Sequence, residues 1–328
     1  MFDIVFHSSV WPHVTVFDAD HALVPGFLEQ LRPQRLVIHA TQVRAAEELL
    51  SSQAVLDPMR VTHLTLFFNG GTFPKDNYLV DCLERFTNLK ELKIFCQNTV
   101  STRKHGFVFT GFFPNLERLW VVGQPASTLE VYFWGQVIPK LHSVVMEVAT
   151  SDILAHLPKF PAMESVRYLS QREDYEDADF RCSQLRDLEV TIKTHRAAAN
   201  FFRAIASGGH VDTVHVHDQA ASMTLTHELS IGRLLISLET RDTRDKEPAE
   251  LDGINPMDTY GITLSKRALF GVGALQFAVP YSASSHDPVT IRFIQYRSWE
   301  DFMQCIGRLK IVFPVYAQVV VGDYTLAG

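Results

Sequence analysis

Apolar and polar residues alternate in short bursts along most of this chain, and the bursts share one spelling. "FTNLKELKI" runs from Phe86 to Ile94, "FPNLERLWV" from Phe113 to Val121 and "IPKLHSVVM" from Ile138 to Met146. "FPAMESVRY" (Phe160 to Tyr168) and "CSQLRDLEV" (Cys182 to Val190) follow the same rule. Each is an apolar residue, a turn-like pair, and then L-x-x-L-x-L with conservative swaps. Counting the first Leu as position 1, these copies start at Leu89, Leu116, Leu141, Met163 and Leu185. Weaker copies start at Trp11, Pro33, Val61, Val211 and Ile231, and successive starts lie 20–28 residues apart. Positions 4 and 6 are apolar around a variable position 5, which predicts a short strand with one buried face. A unit this short cannot bury that face alone and must stack on copies of itself.

The segments between several of these strands change period. "VRAAEELL" (Val43–Leu50), "YLVDCLERF" (Tyr78–Phe86) and "RAAANFFRAIA" (Arg196–Ala206) space their apolar residues by three and four, which predicts helices. After about residue 240 the phrase degrades. "ETRDTRDKEPAELDGINPMD" (Glu239–Asp258) is charged and broken by Pro and Gly, and reads as an inserted loop. Strand-like runs return at Ala274–Val279, Val289–Tyr296 and Lys310–Val321. "SWEDFMQCIG" (Ser298–Gly307) predicts a helix capped by Ser298 with an acidic first turn. The organisation expected is a repeat region over 1–240, with atypical terminal repeats and a C-terminal cap of the same solenoid over 241–328.

Composition narrows the function classes. The chain has 328 residues, 46% of them hydrophobic and 20% charged, enough apolar material for a real core. Its formal charge of -7 argues against a nucleic-acid partner, since phosphate binding wants a basic surplus. The four cysteines form no CxxC pair, which fits a reducing compartment and no structural zinc. The first residues lack a basic stretch followed by an apolar run, and no uncharged segment reaches the ~20 residues of a membrane helix. A cytoplasmic or nuclear protein without membrane association is expected.

The phrase and its spacing resemble the leucine-rich repeat superfamily over about residues 11–240 and are most like the irregular repeats of fungal F-box-type proteins. No three-helix F-box is read in the first 30 residues, where strand-like text starts at "HVTVF". The resemblance implies an α/β solenoid of strand–helix repeats with a parallel concave sheet. It also implies a recognition surface for a protein partner, in that family often for presenting substrates to ubiquitin ligases.

Two stretches carry possible chemistry. In "GGHVDTVHVHDQ" (Gly208–Gln219), Val214 and Val216 are framework positions, so His215 and His217 share the exposed strand face. Two histidines at i and i+2 can share a metal, but a catalytic zinc wants a third protein ligand. Neither His210 nor Asp218 is placed by the pattern, so the pair is read as an ordinary strand surface with no cofactor. "VFDADHAL" (Val16–Leu23) resembles the first motif of haloacid-dehalogenase-type phosphatases, with Asp18 as nucleophile and Asp20 as general acid. His21 and Ala22 replace the usual Gly and Thr, and Val14 and Val16 fit the repeat register. "GVGALQ" (Gly271–Gln276) lacks the third glycine of a dinucleotide fingerprint. A metal-dependent or phosphatase-like hydrolase is therefore the alternative to a non-enzymatic recognition scaffold.

For the scaffold, the variable positions line the exposed face. Arg118 stands at position 3; Lys93, Trp120, Arg167, Glu189 and His215 at position 5; His217 at position 7. Nothing in the framework requires Trp120. An exposed aromatic flanked by Arg118 and Arg167 has the composition of an interaction hot spot.

Overall fold

The computed structural model describes residues 12–16, 28, 32–52, 57–69, 78–97, 105–109, 113–123, 129–133, 138–169, 175–182, 184–219, 222–238, 261–278, 289–312 and 317–321. The chain divides into two compact units, Met1–Arg172 and Glu173–Gly328. Both are α/β, with parallel strands in large sheets and few helices. Among the described residues no helix is long and apolar enough to cross a membrane.

The first unit runs β1 (His13–Val16), β2 (Arg35–Ala40), α1 (Val43–Ser51), β3 (His63–Asn69), α2 (Tyr78–Leu83), β4 (Glu91–Gln97) and β5 (His105–Phe109). It continues through β6 (Arg118–Gly123), β7 (Leu129–Phe133), β8 (Ser143–Glu147), β9 (Thr150–Ser151), a 3-10 helix (Ile153–Lys159) and β10 (Ser165–Tyr168). The main sheet has the order β1-β2-β3-β4-β6-β8-β10, and β5-β7-β9 form a second sheet. His13, Arg35, His63, Glu91, Arg118, Ser143 and Ser165 are successive Cα partners. Each is position 3 of its copy, so equal positions of the phrase stand side by side across the sheet.

The buried residues follow the phrase. Positions 4 and 6, such as Leu64 and Leu66, Leu92 and Ile94, or Leu119 and Val121, are fully buried. So are Phe86, Phe113 and Phe160, three residues ahead of each start. The turn-like pair closes a tight turn between them: the amide of Leu89 donates to the carbonyl of Phe86 at 2.9 Å, and Met163 does so to Phe160 at 3.0 Å. Position 1 therefore enters the core directly from a turn, and one spelling recurs because one local geometry recurs.

The second unit runs β11 (Asp187–Ile192), α3 (His195–Gly208), β12 (Val211–Asp218), β13 (Ser222–Leu225), β14 (Ile231–Leu238), β15 (Gly261–Ser265), α4 (Lys266–Leu269) and β16 (Val272–Ala278). It ends with β17 (Val289–Ile294), α5 (Trp299–Arg308), β18 (Lys310–Val312) and β19 (Ala317–Val321). Its main sheet has the order β11-β12-β14-β16-β18, with β13-β15-β17-β19 as a second sheet. Helix α3 starts where the Thr194 hydroxyl accepts from the Ala197 amide at 3.1 Å, and α5 where Ser298 accepts from Asp301 at 3.1 Å. Both caps satisfy amides that the first helical turn leaves without partners.

The return segments depart from the strand–helix expectation. Helices follow β2, β3 and β11, as their three-and-four spacing predicts. After β4, β6, β12 and β14 the chain instead forms β5, β7, β13 and β15. The reason is local: "HGFVF" and "LEVYF" alternate with period two, burying Phe107 and Phe109, and Leu129, Val131 and Phe133. Phe109 and Phe133 stack at 5.2 Å across the second sheet, closing the core from that side. The run Lys310–Val321, read as one strand, is two strands in different sheets. Pro314 stands between them and offers no amide hydrogen to a sheet.

The glycines of "GVG" serve strand packing. A Cβ on Gly273 would stand 2.6 Å from the carbonyl oxygen of Gly232, and one on Gly232 would stand 2.7 Å from that of Asp212. Neither neighbour is a flexible side-chain end, so the backbone must move. Gly273→Ala is expected to lower stability by about 1–3 kcal/mol, as overpacking does. A urea midpoint equal to that of wild type would contradict the close approach.

Candidate functional site

In the first unit the variable positions of the phrase make a half-exposed face on the main sheet. Trp120 is the Cα partner of Lys93 on one side and of Val145 on the other. The Lys93 ammonium lies 4.5 Å from the Trp120 ring centroid, a cation–π contact worth about 0.5–1 kcal/mol when exposed. Lys93 is held there by Glu91, with Nζ 2.9 Å from Oε1. The other Glu91 oxygen takes Arg118, with Nη1 at 3.4 Å. The Glu91 side chain is 13% exposed, so one nearly buried carboxylate sets two of the candidate cations.

Arg167 is less close to Trp120 than the sequence suggested. It is the Cα partner of Val145, so a whole strand separates it from Trp120, and it pairs with Glu147 at 3.4 Å. The cation on the indole is Lys93. The face also holds aromatic residues outside the candidate set. The rings of His39 and Phe67 stack at 4.5 Å and 9°, and those of Phe67 and Phe95 at 4.8 Å and 11°. All three occupy position 7 of successive copies. The sequence offers Phe67 and Phe95 at one phrase position on the exposed face; that their rings stack, with His39 alongside, follows from the pairing of β2, β3 and β4.

His63, at position 3 of β3, titrates below its ordinary value of 6.5. Burial is the main cause, and the nearby Arg35, Arg118 and Lys90 push the same way against Glu91. Between the folded value and 6.5 the unfolded chain holds more protons, so stability falls as pH drops through that window. His63→Gln is expected to flatten this part of the acid slope. Urea midpoints measured from neutral to mildly acid pH check it, and parallel curves for the two proteins would refute it.

In the second unit, Glu189, His215 and His217 converge. Glu189 and His215 are Cα partners across β11 and β12, and His217 lies two residues further along on the same face. His217 Nε2 stands 2.8 Å from Glu189 Oε1 and His215 Nδ1 3.7 Å from the same oxygen. The two imidazoles lie 4.1 Å apart between centroids. His215 Nε2 is 2.8 Å from the Ser237 hydroxyl on β14. Neither sequence neighbour joins them. Asp218 is 1% exposed on the opposite face, and His210 precedes the strand, 3.0 Å from the Ser230 hydroxyl and 3.2 Å from Asp212. The third partner, the acid Glu189, comes from the strand one repeat earlier, brought in by the pairing of β11 with β12.

Among the described residues no other candidate chemistry assembles. Asp18 and Asp20 lie outside the described residues. Burial pushes the Cys96 thiol up to about 12, which leaves it inert as a nucleophile. The Cys82 thiol is also raised, first by burial and then by Glu47. The chain matches no protein-family model, no curated protein and no solved structure.

Proposed function

We propose that this chain is a non-enzymatic recognition protein, a solenoid of leucine-rich-repeat type that binds a protein partner through the variable face of its main sheet. The observation that carries this reading is the Lys93–Trp120 contact beside the stacked His39, Phe67 and Phe95. Half-exposed aromatic groups, with cations held by Glu91, match the enrichment of hot spots in Trp, Tyr and Arg. The strands present this face through side chains that the framework leaves variable, so it can be specialised without disturbing the core. Presentation of the bound protein to a ubiquitin ligase is the form of this role that the sequence resemblance implies.

Affinity purification from native cells with mass spectrometry tests the reading. Wild type is expected to recover specific partners that a folded Trp120→Asp, Arg167→Glu variant loses. Ligase subunits among them would support the presenting role. Equal recovery by the two proteins would overturn the use of this face.

A further inference from the structure

We propose that Glu189, His215 and His217 bind one divalent transition-metal ion of the zinc class. One ligand atom from each lies within 4.8 Å of the others. Donors about 2.0–2.1 Å from a tetrahedral zinc stand about 3.4 Å apart. The Glu189 oxygen is 2.8 Å from one imidazole nitrogen and 3.7 Å from the other, values that bracket this spacing. All three residues stand on adjacent, hydrogen-bonded strands, so the sheet itself holds the donors side by side.

The donor chemistry selects the ion. Two imidazoles and a carboxylate suit zinc and its borderline neighbours, whereas calcium and magnesium require more oxygen ligands. Ser237 supplies the outer support that metal-bound histidines need. With its hydroxyl accepting from His215 Nε2–H, the Nδ1 lone pair is turned toward Glu189. An ion here would lie between His217 Nε2 and Glu189 Oε1, and because only a neutral imidazole binds a metal, acid competes with it. The three side chains are 20–27% exposed, so the ion stays reachable from solvent. A three-ligand site of this kind keeps its fourth position for water or a donor from a bound molecule. The inference does not depend on the recognition role of the first unit's face.

The test is a zinc titration of the full chain against a chromophoric chelator, with metal content measured after dialysis. One equivalent is expected. His217→Ala and Glu189→Gln should each weaken binding at least about tenfold, and Ser237→Ala by about tenfold. His210→Ala, at the other end of the strand, should bind as wild type does. Circular dichroism without zinc checks that each variant folds. If one does not, imidazole 15N shifts of His215 and His217 in wild type decide: movement on zinc addition supports the site. No zinc uptake, uptake unchanged in the folded variants, or unmoved imidazole signals would each overturn it and leave a hydrogen-bonded strand surface.

Discussion

Phe201→Ala is expected to destabilise the chain by about 3–5 kcal/mol. Phe201 is fully buried on α3, and its ring meets Tyr175 at 5.2 Å, Phe180 at 5.5 Å and Phe202 at 5.0 Å. Removing it leaves a cavity walled by aromatic rings, which cannot collapse without moving α3. Tyr175 adds a polar anchor, donating its hydroxyl to the Thr191 carbonyl at 2.7 Å at the end of β11. Loosening the ring cluster therefore also loosens the strand that carries Glu189. Urea unfolding of wild type and variant measures the effect. A change below about 1 kcal/mol would mean that the cluster is not the core of the second unit.

Trp120→Ala is expected to weaken binding of the recovered partner by about 2 kcal/mol or more, roughly 30-fold. The indole is the largest variable side chain on its strand and is already oriented by Lys93, so little entropy is lost when a partner covers it. Lys93→Met keeps much of the stem and removes the charge. It should weaken binding less than Trp120→Ala and reduce the dependence on salt. Arg167→Ala, a strand further away, should have the smaller effect expected at a rim. Calorimetric titration with the purified partner gives all three values. Equal affinities for wild type and Trp120→Ala would remove the hot spot.

The order of these effects reflects how each group is held. Phe201 is fixed by packing from several sides, so its removal costs the fold itself. Trp120 stands half-exposed on the sheet face beside Lys93, so its removal costs the surface. Lys93 and Arg118 owe their positions to the same carboxylate of Glu91, and changes at the two should not be additive.

The sequence by itself determined the phrase strands of the main sheets and their register. Leu and Val at positions 4 and 6 could bury only one face. A turn-like pair stood ahead of position 1 in each clear copy, so aligned letters became Cα partners. It also determined α3 and α5, because Thr194 and Ser298 are caps whose partners lie within one turn. Return segments were legible where period three-and-four or period two was clear, as in "RAAANFFRAIA" and "LEVYF", although the helical expectation passed over the second. Tertiary structure alone decided the rest. That Lys93 rather than Arg167 sits on Trp120 follows from strand order and from the grip of Glu91 on the ammonium. That Glu189 rather than His210 or Asp218 meets the histidine pair follows from parallel pairing, which brings together residues 26 and 28 apart while alternation turns the adjacent Asp218 to the other face. Local pattern sets which way a side chain points. Which side chains meet depends on the neighbouring strand, and that is a property of the assembled sheet.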